Sequence, residues 1–432
     1  MPEHRHYDVL VVGAGPGGLA AAATAAAHGK RVGLVDMQPR PGGQVWRHDV
    51  GHGVPRAARR AIARAAAGVE LLTGAQVVDA ECGMLRIERG GDAFEASHDA
   101  LILATGAREL LLPFPGWTLP GVSGAGGLQA LAKQGFPVAG KRVLVAGSGP
   151  LLLVAAITLR RHGAQLLGIV EQAPRAQVTR FARGLWRWPA RATQALRLQT
   201  QLAGVPRFDG HCVVAAHGRD ALEGVELEDA AGHRRRIDCD LLGAGFGLLP
   251  NVELAALLGC ALEPDGTHRR VCVDAWQRTS VDGVHAVGEA CGIGGLHSAR
   301  LEGAIAAHVA CGQPQRARSL LGRRDRARRF AAALAQAFVL QPRVRRLADP
   351  DTLVCRCEDV PLAALDGFAD ARAAKLATRC GMGACQGRIC GAALAELGRF
   401  PRGDGRPPLF PARLATLAAA SGSREPLSGA PP

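Results

Sequence analysis

The apolar residues of this chain fall in short continuous runs that end on glycine. The first, DVLVV at 8–12, runs into GAGPGG, then an alanine-rich stretch, then RVGLVD. A short apolar run bounded by glycine predicts a buried parallel strand, and the following pattern predicts a helix from about Pro16 to His28. RVGLVD is the next strand. The same order recurs in KRVLVAGSGPLLLVAAITLRRHGAQLLGIVEQ, a second strand–glycine turn–helix–strand unit. ALILATGAREL and residues 284–287 of TSVDGVHAVGEA read as further buried strands, and LLGAGFGLLPN (241–251) as a glycine-rich return. After residue 312 the pattern becomes a basic, alanine-rich helix that Pro342 breaks. The predicted class is α/β: one domain over 1–115 and 272–312, a second over 116–271 inserted into it, a helical linker over 313–350, a small helical domain over 351–412 and a tail over 413–432.

The turns carry chemistry. Gly13, Gly15 and Gly18 form G-x-G-x-x-G between strand and helix. The first glycine permits the tight turn, the second lets a pyrophosphate approach the helix N-terminus, and the third lets helix and strand pack closely. Asp36 ends the next strand, where a carboxylate accepts from ribose hydroxyls. Both domains are therefore expected to be dinucleotide-binding, Rossmann-like units. In the second, Gly147 and Gly149 match the first two glycines, but Leu152 stands at the third position and should widen the turn. Glu171, at the end of the following strand, would repel a 2′-phosphate. NADH, another adenine nucleotide and an empty vestigial site remain three open readings of this turn.

Composition narrows the function. The chain has 432 residues, a net charge of +14 drawn nearly all from arginine, and 4% aromatic residues with one tyrosine. Basic runs such as RRDRARRF lack the aromatic platforms of a nucleic-acid site and read as a solvated linker face or a docking surface. The apolar runs are broken by glycine and lack the flanks of a membrane span. The first residues lead almost directly into a strand, leaving no room for a signal peptide, so a cytoplasmic, reducing setting is expected.

Five of the twelve cysteines lie between Cys355 and Cys390, in VCRCEDV and CGMGACQGRIC. Cys355 and Cys357 flank one residue, Cys385 and Cys390 bracket QGRI, and Cys380 is the surplus thiol. Gly381, Gly383 and Gly387 can expose backbone amides to an anionic cluster. A [2Fe-2S] centre fits this spacing best; zinc, which favours C-x-x-C knuckles, and a thiol-only role stay open. A disulfide reductase would need two neighbouring cysteines beside its cofactor. None follows PGGQ; the first cysteine is Cys82, and Cys291 reads as a packed small residue.

Several stretches together resemble the two-dinucleotide-binding-domain flavoproteins: PRPGGQVW, with Gly42, Gly43 and Gln44; the turn Ala104, Thr105, Gly106; and Gly288-Glu289. The resemblance implies FAD, held non-covalently, with Glu289 in place of the usual aspartate that bonds the ribityl chain. LPFPGWTLPGVSGAGGLQALAKQG, GFGLLPNVELAALLGC, LEGAIAA and CRCEDV…TRCGMGACQGRIC sharpen it. Over roughly residues 6–412 the chain is similar to the A or α subunits of opine oxidases and of D-hydroxyproline and dye-linked proline dehydrogenases, and to the hydrogen cyanide synthase B subunit. Its C-terminal part resembles the bacterioferritin-associated-ferredoxin-like [2Fe-2S] domain, with a shorter span after Cys357. That resemblance makes Cys355, Cys357, Cys385 and Cys390 the ligands. It also implies a partner flavoprotein like D-amino-acid oxidase that oxidises the amine, a small [2Fe-2S] subunit, a downstream electron acceptor, and attachment to the inner membrane face through such partners. The chain itself would relay electrons; its catalytic residues are unassigned. A self-contained NADH-dependent oxidoreductase and a non-redox scaffold are the rival functions. His297 and Arg300, near the second flavin motif, read as structural.

Overall fold

The computed structural model describes residues 3–81, 83–401, 403 and 406–418; Cys82 and most of the predicted tail lie outside them. The first domain is built on a seven-stranded sheet. Strand Glu3–Val12 lies between Val32–Asp36 and Asp92–Leu103, parallel to both. Val284–Ala286 returns from far along the chain to pair parallel with Asp92–Leu103, so the sheet draws on two separate parts of the sequence. Tyr7, Leu10, Leu34 and Leu101 are fully buried between the covering layers, as a parallel sheet with both faces covered requires. Strands Ala75–Glu81 and Met84–Arg89 extend the sheet as an antiparallel meander.

Helix Pro16–Ala26 ends two residues before the predicted limit. It lies against helix Gly295–Ala310 so closely that a Cβ on Gly303 would fall on the carbonyl oxygen of Gly17. Small residues on both helices permit that approach and bury the seam.

The inserted domain repeats the plan with five strands, Arg142–Gly147 at the centre beside Gln165–Glu171 and Leu241–Gly245. Its helix starts at Leu151, one position later relative to the glycines than in the first domain, with Pro150 already in the helical region. Leu152, buried at the place of Gly18, cannot pack as a glycine does, and the turn is reshaped accordingly.

The linker forms a 24-residue helix, Pro314–Ala337. It is not simply a solvated face. Arg324 is 5% exposed; it donates to the carbonyl of Ala275 and to Gln277, and pairs with Asp325. Arg328 reaches Glu302 and Gln277. Arginines at four-residue spacing share a helix face, and this face is clamped to the first domain. The terminal domain is small: a two-stranded ribbon of Leu353–Cys355 and Val360–Pro361, then helices Ala371–Thr378 and Cys390–Glu396. Among the described residues no helix is long and apolar enough to cross a membrane.

Candidate flavin and iron–sulfur site

A cavity of about 360 Å³ opens at the C-terminal ends of the first domain's parallel strands, where open α/β sheets bind ligands. Gly13, Gly15, Asp36, Gly43, Gln44, Ala104, Thr105, Gly106, Gly288 and Glu289 line it. Gly18 and Gly42 do not. A Cβ on Gly18 would strike the carbonyl of Gly13, so its part is helix-on-strand packing. Gly42 donates its N–H to the Ala14 carbonyl at 2.8 Å and so fastens the second loop to the first turn. Around Gly15 no atom lies within 4 Å of where a Cβ would sit, which is the space a pyrophosphate needs beside the helix N-terminus.

Asp36 is buried and does more than face a ribose. Its carboxylate accepts from the amide of Ala14 at 2.6 Å and from that of Gln38 at 2.7 Å. Burial raises its carboxyl above the ordinary value, and these two amides oppose the rise. Glu289 is also raised by burial, with the Gly295 amide acting against it. Glu302, which sequence reasoning passed over, takes the amide of Gly288 at 2.8 Å and so fixes the second flavin turn.

Four further residues line the cavity, three of them without any signal in the sequence. Arg108 donates to Asn251 at 2.6 Å and pairs with Glu253 at 2.9 Å. Arg108 lies two residues past Gly106, close enough to have been suspected; Asn251 and Glu253 come from the return of the inserted domain. Arg388 comes from between the last two clustered cysteines and lines the same cavity. Its guanidinium donates to the carbonyl of Leu409, stacks over Phe410 with 4.2 Å to the ring centroid, and lies 3.8 Å from Glu253. None of the described lining residues is a cysteine. Cys291 closes a short turn, partly buried against the core, and His297 and Arg300 are exposed.

The five clustered cysteines do converge. The sulfurs of Cys355, Cys380 and Cys390 lie within 4.8 Å of one another. Cys385 is in thiol contact with Cys390 and with Cys357. Cys380, set aside as the surplus thiol, is therefore part of the group. Contact with Cys390 and burial push the Cys385 thiol up to about 12; contact with Cys380 comes first among the causes that raise Cys390. Such thiols stay protonated until a metal displaces the protons. The loop depends on its glycines: a Cβ on Gly383 would collide with that of Cys357, and Gly381, beside Cys390 and Gly387, has φ +84°, which other residues rarely adopt. A chain that wraps cysteines this tightly fits a compact metal centre. A second, larger cavity borders Cys380 and Cys390, and it shares Arg388, Glu253, Leu409 and Phe410 with the first.

The sequence profile of the pyridine nucleotide-disulphide oxidoreductase family matches residues 7–311. The HcnB component of hydrogen cyanide synthase from Pseudomonas aeruginosa is 32% identical over 423 residues, covering 88% of this chain and 90% of that protein. The A subunit of opine oxidase from Rhizobium meliloti is 33% identical over 457 residues, covering 95% and 98%. L-proline dehydrogenase from P. horikoshii shares the fold, with a TM-score of 0.68 at 18% identity over 96% of this chain and 80% of that one.

Proposed function

Because this chain belongs to the pyridine nucleotide-disulphide oxidoreductase family, beside the HcnB component of hydrogen cyanide synthase and the opine oxidase A subunit, we propose that it is the electron-transferring component of a heteromeric dehydrogenase. Its substrates are secondary amines or imino acids of the opine, proline or D-hydroxyproline type. FAD would accept two electrons and release them singly, and a [2Fe-2S] centre would carry them one at a time. The first cavity would hold FAD through Gly13, Gly15, Asp36, Gly43, Gln44, Thr105 and Glu289. Cys355, Cys357, Cys385 and Cys390 would hold the cluster.

One observation carries this reading. Arg388, bracketed by two of those cysteines, forms part of the flavin cavity wall. The cysteine loop and the flavin turn are thus joined through Arg388, Glu253 and Arg108. Arg388, common to both cavities, and Arg108, in the first, share the Glu253 carboxylate. The buried Asp36 and the partly buried Glu289 both line that cavity. A partner flavoprotein like D-amino-acid oxidase would supply substrate binding and amine oxidation, and a small [2Fe-2S] protein and a downstream acceptor complete the path.

Anaerobic stopped-flow tests the division of labour. The isolated chain, loaded with FAD, is mixed with D-hydroxyproline, proline, sarcosine, glycine or an opine. Flavin bleaching should be slow or absent alone, and fast in the complex with the partner flavoprotein. Rapid bleaching of the lone chain by one of these amines would make it the dehydrogenase itself.

A further inference from the structure

The inserted domain keeps the first two glycines of the turn, Gly147 and Gly149, yet something already sits on them. Phe338, just past the linker helix, lies 3.9 Å from the Cβ position of Gly149, where the equivalent Gly15 has open space. Its ring meets Phe181 edge-on, with centroids 5.7 Å apart. The contact is also polar. Ser148 Oγ donates to the Phe338 carbonyl at 3.1 Å. Gln172, 1% exposed, uses both ends of its amide: Nε2 donates to Ser148 Oγ and to the Val339 carbonyl, and Oε1 accepts from the Gln341 amide at 2.8 Å. Gln177 adds a bond to the carbonyl of Gln336. Side chains of the turn, of the strand end and of the following helix thus satisfy four backbone groups between 336 and 341.

The turn is also electrostatically spent. Glu171 takes the Gly149 amide at 2.7 Å and the Ala173 amide at 3.0 Å. In the first domain the corresponding carboxylate takes the amide one residue earlier, that of Ala14, and leaves the Gly15 amide to a ligand. Glu171 is one methylene longer than Asp36 and consumes the donor that a pyrophosphate would use. Pro150 offers no N–H, just as Pro16 offers none in the first domain, so the next residue cannot replace the Gly149 amide lost to Glu171; leucines stand where the first turn has Gly17 and Gly18.

We infer that the second dinucleotide turn is a socket for the chain's own residues 336–341, and that it takes no nucleotide. Ser148 and Gln172 are its positioning residues. The socket anchors the end of the linker helix beside the point where the chain departs for the cysteine domain. Electrons therefore do not enter as hydride from a nicotinamide at this turn. This inference does not depend on the amine substrate or on the metal proposed above.

The FAD-loaded full chain is titrated with NADH and, separately, with ADP, by calorimetry and flavin absorbance, while hydrogen exchange is followed over 336–341. Neither nucleotide should bind saturably up to about 1 mM, and NADH should leave the flavin oxidised. Gln172→Ala removes three of the bonds, and Ser148→Ala, a milder change, breaks the Phe338 link. Exchange of the segment should rise about tenfold in the first and less in the second, since protection there tracks local opening. Saturable binding of either nucleotide to the wild-type chain, with or without release of the segment, overturns the inference. So does unchanged exchange in both variants.

Discussion

Gly15 and Gly18 have the same side chain and different duties. Gly18 is required by the protein, because its Cβ would meet the Gly13 carbonyl; a Cβ on Gly15 would point into open space. Gly15 also has φ −73°, a conformation open to any residue. Gly15→Val should therefore fold, with an unchanged melting temperature in the absence of cofactor. FAD affinity should fall roughly 10- to 100-fold, the cost of overpacking a close contact. Equilibrium dialysis of FAD against the apoprotein decides this, and stoichiometric FAD on the purified variant would refute the assignment. Both glycines were legible from spacing alone, because a strand–turn–helix unit leaves few geometries. Asp36 was legible as a carboxylate at the strand end, but its bond to the Ala14 amide was not, since that contact is made across 22 residues.

Two elements answer the arginine and cysteine patterns differently. On the linker helix Arg324 is buried while Arg323 is exposed. Arg324→Ala should cost about 1–3 kcal/mol, because it strips a charged donor from the buried Gln277 and from the part-buried Ala275 carbonyl; Arg323→Ala should stay within about 0.5 kcal/mol. Urea unfolding of the two variants makes the comparison, and equal losses would mean that the clamp is weak. Composition predicted the helix and could not say which arginines turn inward, since all carry the same charge. In the cysteine loop, purified protein should be brown and give the EPR signal of a reduced [2Fe-2S] centre with dithionite. Serine at Cys355, Cys357, Cys385 or Cys390 should abolish the signal, and Cys380→Ser should only weaken it. Elemental analysis finding zinc without iron would end the proposal.

At the scale of the whole molecule, one buried carboxylate joins three parts of the chain. Glu396, in the cysteine domain, accepts from Thr267 and from His268 Nε2 at 2.9 Å, both on the hairpin of residues 262–271 that ends the inserted segment, and from Arg345 Nε at 2.7 Å in the linker. Burial alone would raise its carboxyl, but the bonds from His268, Thr267 and Arg345 overcome this and hold it at about 2, below its ordinary 4.5. A depressed folded value means stability that is fully present above pH 4.5 and is lost as pH falls toward about 2. The difference in urea midpoint between wild type and Glu396→Gln should thus be constant above about pH 5 and shrink below about 4.5. A difference that stays flat through that window would show that the carboxylate charge does not fasten the domains.

The local units of this protein are written in its sequence. Strand, glycine turn, helix and strand are contiguous, their periodicity is fixed by backbone geometry, and the discontinuous first domain follows from where the second unit interrupts it. The crowding of cysteines at one end was equally plain. Tertiary structure decided what could not be local. Arg388 faces the flavin cavity only because the cysteine domain folds back onto it, and Arg108, Asn251 and Glu253 meet there from segments more than a hundred residues apart. Ser148 and Gln172 gain their partners from a strap nearly two hundred residues downstream. Spacing along a chain constrains neighbours within one element, whereas the choice among distant partners is made by which surfaces pack together when the domains close.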